Sequence, residues 1–244
     1  MRDYRKEFEN RVSFIRQLLD DTGAKGIVFG NSGGKDSALV GILCKAACSN
    51  TVGVIMPCTS KRNYELDAKD GRELADKFGI ESRVIDLSPV KAAMCAELSK
   101  VTSLNQMADT NIAPRLRMTA LYAVAASEGL LVAGTGNRSE EYVGYYTKWG
   151  DGASDFEPII DLTATEVIEF LRYLEAPACI VDKAPSAGLY DGQTDEEDMG
   201  FKYAQLDEFL CTGKTDEQAM AIIERMHRAS EHKRRPILSY KDRG

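Results

Sequence analysis

The sequence predicts a doubly wound α/β fold, Rossmann-like, with a mostly parallel sheet and helices on both faces. Short apolar runs at Ile27-Val28-Phe29, Val52-Gly53-Val54-Ile55-Met56 and Leu130-Leu131-Val132-Ala133 alternate with segments of helical periodicity. Such alternation closes on a parallel sheet covered on both sides. The first run also turns through small residues, Gly30-Asn31-Ser32-Gly33-Gly34, into the helical pattern Ala38 to Leu43. A ligand-type turn is thereby placed at the carboxyl end of a strand, where α/β sheets bind ligands.

Phe8, Val12, Ile15 and Leu18-Leu19 recur at helical spacing, so residues 3 to 21 read as an amphipathic helix stopped by Gly23. A strand at 26 to 31, a helix at 36 to 49 and a strand at 52 to 56 then form a βαβ unit, closed by Pro57. A long charged helix through Asp67, Arg72, Leu74 and Phe78 ends at Gly79, and a third strand spans Ser82 to Leu87. Residues 88 to 109 read as a helix and a connection, Asn111 opens an alanine-rich helix, and Leu130 to Ala133 is the fourth strand. That strand runs into Gly134-Thr135-Gly136-Asn137-Arg138-Ser139-Glu140-Glu141, a second loop at a strand's carboxyl end; Ser139 stands where a dinucleotide fingerprint needs its third glycine. A polar stretch, Tyr145 to Asp155, precedes a helix from Leu162 to Leu174 that Thr163 or Thr165 can cap. Residues 182 to 198 carry little periodicity and read as a long loop of the kind that serves as a lid, a binding loop or a disordered segment. Helices at 202 to 211 and 215 to 230 lead to the basic tail His232-Lys233-Arg234-Arg235-Pro236. No internal repeat or linker divides the 244 residues, so 1–244 is expected to be one domain.

A net charge of −7 argues against a non-specific nucleic-acid or anionic-membrane surface. No apolar run approaches membrane-spanning length, and the charged start, Met1 to Glu7, lacks a signal core. Six scattered cysteines form no Cys-x-x-Cys pair and read as reduced, mostly buried thiols, so a cytoplasmic protein is expected.

The turn at Gly30 suits an anion, because a strand entering a helix aims several N–H groups and the positive dipole end at one point. It is not a Walker A loop. Only three residues separate Gly30 from Gly34, and Asp36 follows Lys35 where the magnesium-binding hydroxyl would stand. Ser32-Gly33-Gly34-Lys35-Asp36-Ser37 instead resembles the pyrophosphate-binding loop of the N-type ATP pyrophosphatases, which fold as adenine nucleotide alpha hydrolases. Further stretches resemble ammonia-dependent NAD synthetases in the same order: Asn111 to Met118, Gly134 to Glu140, Tyr146 to Asp155, Pro185 to Leu189 with Gly192 to Glu196, and His232 to Arg234.

The resemblance implies a ligase that joins ammonia to deamido-NAD at the expense of ATP, through an acyl adenylate, with release of AMP and pyrophosphate. It implies that Gly30, Asn31, Ser32, Gly33, Gly34, Lys35, Asp36, Ser37, Thr135 and Ser186 contact ATP, and that Asp36 and Glu140 hold magnesium. Arg115, Lys148, Asp155, His232 and Lys233 match positions that contact deamido-NAD, and the charge of Asp155 suggests a role in deprotonating ammonium. Ala164 stands where the family commonly has an ATP-binding lysine, and Lys183 or Lys35 would have to substitute. Arg117 reads equally well as solvent-facing, and Asp195 to Asp198 as a helix-start charge cluster rather than a metal site. The family is dimeric, which suggests the N-terminal helix as an interface element. No cysteine stands in an amidase context and no glutaminase domain is recognisable, so free ammonia is the expected nitrogen source. The competing readings are a tRNA-modifying pyrophosphatase, disfavoured by the acidic charge and lack of paired cysteines, and an inactive nucleotide-binding homologue supported by Ala164.

Overall fold

The computed structural model describes residues 2–58, 63–183 and 194–240. The elements run α1 (Tyr4–Thr22), β1 (Gly26–Gly30), α2 (Lys35–Ala47), β2 (Thr51–Ile55), α3 (Ala68–Phe78), β3 (Glu81–Val84), α4 (Ser88–Leu98), α5 (Gln106–Thr110), α6 (Ile112–Glu128) and β4 (Leu130–Ala133). There follow α7 (Arg138–Val143), α8 (Ala164–Tyr173), α9 (Ala178–Val181), α10 (Asp195–Met199), α11 (Tyr203–Thr212), α12 (Glu217–Ala229) and α13 (Glu231–Arg234). A π-helical turn, Asn63–Asp67, leads into α3.

Among the described residues the sheet has four strands in the order β3-β2-β1-β4, all parallel. The order reverses at β1, so the loops after β1 and β4 leave the same edge side by side. That reversal is the topological switch point at which such sheets bind ligands. It unites two loops more than 100 residues apart in sequence.

β1 is apolar throughout because both faces are covered. Ile27 and Phe29 join a core with Ile15, Leu39, Leu43, Phe170 and Leu171 from α1, α2 and α8. Val28, with Val52, Val54 and Val132, packs on Met118, Leu121 and Ala125 of α6. A third cluster, including Val143, Phe201, Leu206 and Ile223, gathers the later helices beside the switch point.

The predicted elements are present with small shifts. β3 ends at Val84 rather than Leu87: the Ile85 and Leu87 N–H groups still donate to Ile55 and Pro57, but the Asp86 carboxylate takes the Ser88 N–H and turns the chain into α4. Residues 138 to 143, read as loop, form α7 because Asn137 and Glu140 make a capping box. Thr163, not Thr165, caps α8. At its amino end α1 is fixed to the turn before α8 by Arg11, whose guanidinium donates to Pro158 O at 2.6 Å and to both Asp161 oxygens at 2.7 and 2.9 Å. Arg11→Met is expected to lower unfolding free energy by about 2 kcal/mol, since a buried carbonyl loses a charged donor. A urea melt with an unchanged slope checks it.

Candidate active site

The loops after β1 and β4 open into a cleft of about 1460 Å³. Its floor is the start of α2. Gly34 occupies the N-cap with no side-chain bond to the helix amides, so no side chain of the cap shields them from an incoming anion. The loop is held in shape by its own hydroxyls: Ser32 Oγ lies 2.9 Å from Ser37 Oγ and accepts from Gly34 N at 3.2 Å, while Ser37 Oγ donates to Gly34 O at 3.0 Å. Gly33 has φ +70, and a Cβ there would lie 2.3 Å from Asp67 O. Only glycine fits that approach.

Gly30, Ser32, Gly34, Lys35, Asp36 and Ser37 all line the cleft, with Gly33 packed behind them. Asn31 also borders it but is 1% exposed, and its amide donates to Gly71 O at 2.8 Å. Its side chain therefore braces the loop against α3. Ser186 lies outside the described residues. Thr135 enters from the loop after β4 and Glu140 from the first turn of α7.

Asp36 and Glu140 meet across Asn137. The Asn137 amide donates to Asp36 Oδ1 at 2.9 Å, and its oxygen accepts from Glu140 N at 3.0 Å. Burial, with added repulsion from Asp195, pushes the Asp36 carboxyl up to about 6 against the hydrogen bond from Asn137. Burial and repulsion from Asp36 and Asp195 push Glu140 well above the usual carboxylate range. Asp195, 4% exposed, is thus directed at this pair, hydrogen-bonded by the hydroxyls of Tyr145 and Tyr203. It is more than the helix-start charge its sequence context suggests.

The basic residues assemble at the cleft's outer end. Arg115 donates to Lys148 O, Lys148 Nζ to His232 O at 2.6 Å, and Lys233 Nζ to Gly144 O at 2.6 Å. Lys233 lines the main cleft; Lys148 and His232 line an adjoining groove with Trp149, and Arg115 is exposed beyond it. Burial lowers the Lys233 pKa. Arg117, not Arg115, faces the cleft, its Nε donating to Met56 O at 3.1 Å.

Asp155 is not brought to the cleft. Its carboxylate accepts from Val132 N at 2.8 Å and from the Tyr122 hydroxyl at 3.1 Å, pinning the chain to the sheet edge. Asp151, four residues earlier, lines the cleft: burial pushes its carboxyl up against the pull of the Thr147 N–H and of the charges on Arg117 and Lys233. Asp155→Asn is therefore expected to cost about 1–2 kcal/mol of stability while kcat holds, whereas Asp151→Asn lowers kcat with stability nearly unchanged. Steady-state rates paired with thermal melts separate the two.

Lys183 also borders the cleft, but its ammonium bonds Asp67 at 2.7 Å, Asp70 at 2.6 Å and Gly33 O at 3.3 Å. It secures the loop rather than replacing the lysine absent at Ala164.

Residues 7–237 match the family model described as NAD synthase. The chain belongs to the NAD synthase family. It is 44% identical over 236 residues to an NH(3)-dependent NAD(+) synthetase of Carboxydothermus hydrogenoformans, covering 96% of each chain. Among solved structures, the NMN synthetase of Francisella tularensis superposes with TM-score 0.93 at 37% identity, covering 98% of this chain and 99% of that one. The NH3-dependent NAD synthetase of Campylobacter jejuni superposes with TM-score 0.78 at 28% identity, covering 98% and 100%. In this NAD synthase family member the expected fold class is borne out, and a tRNA-modifying role is not favoured.

Proposed function

We propose that the protein is a carbon–nitrogen ligase that amidates deamido-NAD with ammonia, converting ATP to AMP and pyrophosphate through an acyl adenylate. The observation that carries this reading is the meeting, in one cleft, of an open helix N-terminus after β1 with Asp36 and Glu140. Both substrates are anions, so the first step requires charge neutralisation and alignment more than acid–base groups. The amides at the start of α2, with Ser32, Ser37 and Lys35, would hold the departing pyrophosphate. Thr135 would lie against the α-phosphate, and Arg117 and Lys233 would hold the second substrate.

Magnesium fits the residues present. Asp36 and Glu140 are hard oxygen donors that repel each other. Among the described residues no three Asp, Glu, His or Cys side chains form a cage on their own, which suits an ion that completes its shell with phosphate oxygens and water. When bound, it would neutralise phosphate charge and polarise the α-phosphorus.

A homodimer belongs to the same proposal. Val90 and Met94 on α4, with Val84 and Val101 beside it, are exposed apolar side chains and support an interface there, whereas α1 turns Val12 and Ile15 into the core. Six free cysteines suit a cytoplasmic setting, and among the described residues no helix is long and apolar enough to cross a membrane. Free ammonia is the proposed nitrogen source, supported by the similarity to synthetases named as NH(3)-dependent.

A second reading, amidation of nicotinate mononucleotide, is favoured by the TM-score of 0.93 with the Francisella NMN synthetase. One assay tests both: purified protein with ATP, magnesium and ammonium, offered each acceptor in turn, with amide product and AMP followed together. Equal amounts of NAD and AMP from deamido-NAD establish the first reading; a strong preference for the mononucleotide establishes the second. ATP binding without AMP formation would leave an inactive homologue.

A further inference from the structure

We infer that Glu157 is the binding residue for the ammonium ion that supplies the amide nitrogen, an inference that rests on the amidation reading above. Glu157 lines the cleft from beneath the turn after β4. Its Oε2 accepts from Gly136 N at 3.3 Å and its Oε1 from the Ser154 hydroxyl at 2.7 Å. Gly136 directly follows Thr135 and Ser154 lies near the end of the polar stretch, so the carboxylate sits next to the proposed α-phosphate position. The chain makes room for it: a Cβ on Gly134 would lie 2.0 Å from Oε1.

Two donors fix the carboxylate without neutralising it. Among the described residues no cationic side chain pairs with Glu157, and the charges that reach it, from Asp151 and Glu141, are negative. A fixed negative charge there opposes both ATP and the dinucleotide, so neither accounts for it. Ammonium is the one cationic substrate of the reaction. A carboxylate with free lone pairs beside the acylated phosphate is suited to collect it from solution and hold its nitrogen near the carbonyl carbon.

Glu157→Gln keeps the shape while removing the charge: its amide oxygen can accept from Gly136 N, and its NH2 can donate to the Ser154 hydroxyl, which turns to accept. Its KM for ammonium is expected to rise roughly 10- to 100-fold, as for a lost charged hydrogen bond. Exchange of labelled pyrophosphate into ATP, measured with the acceptor and without ammonium, should stay at the unaltered rate, which also shows that the variant is folded. Ser154→Ala, which frees one oxygen but keeps the charge, should move the same KM by a few-fold. An unchanged KM for ammonium with intact exchange overturns the assignment, as does a shift confined to the magnesium or ATP dependence. No exchange in the unaltered protein would remove the amidation reading, and this site with it.

Discussion

Asp36→Asn is expected to abolish turnover while making the metal-free protein more stable at neutral pH. The loss should be on the order of 10³-fold in kcat, because the carboxylate is one of the two proposed to hold magnesium against the reacting phosphates and Asn cannot supply its charge. The gain follows from the same crowding. Burial and Asp195 raise the Asp36 carboxyl from 3.8 to about 6, and Glu140 is pushed up by Asp36 in turn. A folded-state value above the unfolded one means that the folded protein holds the proton more tightly. Its contribution to stability is therefore greatest in acid and is lost as pH rises from about 4 through about 6, by on the order of 3 kcal/mol. Urea melts of chelator-treated protein at pH 4.5 and 7 test this: the unaltered chain should lose stability over that interval relative to Asp36→Asn. Magnesium with ATP should reverse the ranking at pH 7. Equal pH dependence in the two proteins would mean that Asp36 is not crowded in the folded state.

Gly33→Ala should do comparable damage through the backbone. The residue sits at φ +70, where an alanine costs about 1–2 kcal/mol, and its Cβ would meet a backbone oxygen, Asp67 O, at 2.3 Å. That oxygen has little freedom to retreat, because Lys183 ties Asp67 to Gly33 O. Relief requires the phosphate loop to lift away from α3. The expected result is a rise in KM for ATP of about 10- to 100-fold, with a lower melting temperature. Gly23→Ala is the control: φ is +68, yet nothing lies within 4 Å of the added methyl. It should share the loss of stability and leave the KM for ATP alone.

The parts of this protein legible in the sequence are those whose physics is local. Apolar runs marked β1, β2 and β4, since a strand buried on both faces has to be apolar throughout, whereas β3 at the sheet edge is polar and largely exposed. The turn after β1 was legible for the same reason: strand, turn and helix start are contiguous, and the uncapped amides at the start of α2 are backbone groups. Asp36 and Glu140 could be singled out because each follows a small-residue turn at a strand end, and the structure brings the two together across Asn137.

Where function depends on which way a side chain turns, the sequence alone was silent. Arg115 and Arg117 lie two positions apart on α6, roughly 200° around the helix, so only the packing of α6 on the sheet decides that Arg117 faces the cleft. Asp151 and Asp155 share one polar stretch, and the hydrogen bonds of Asp155 to Val132 and Tyr122 decide which serves the sheet and which the cleft. Asp195 looked like a helix-start acid because its partners, Asp36 and Glu140, are far away in the chain. The sequence by itself determined the strands, the glycine-rich turn after β1 and the family, all written in neighbouring residues. Only the tertiary structure brought Asp195 and Glu157 to the cleft, because burial and charge are properties of what surrounds a group in space.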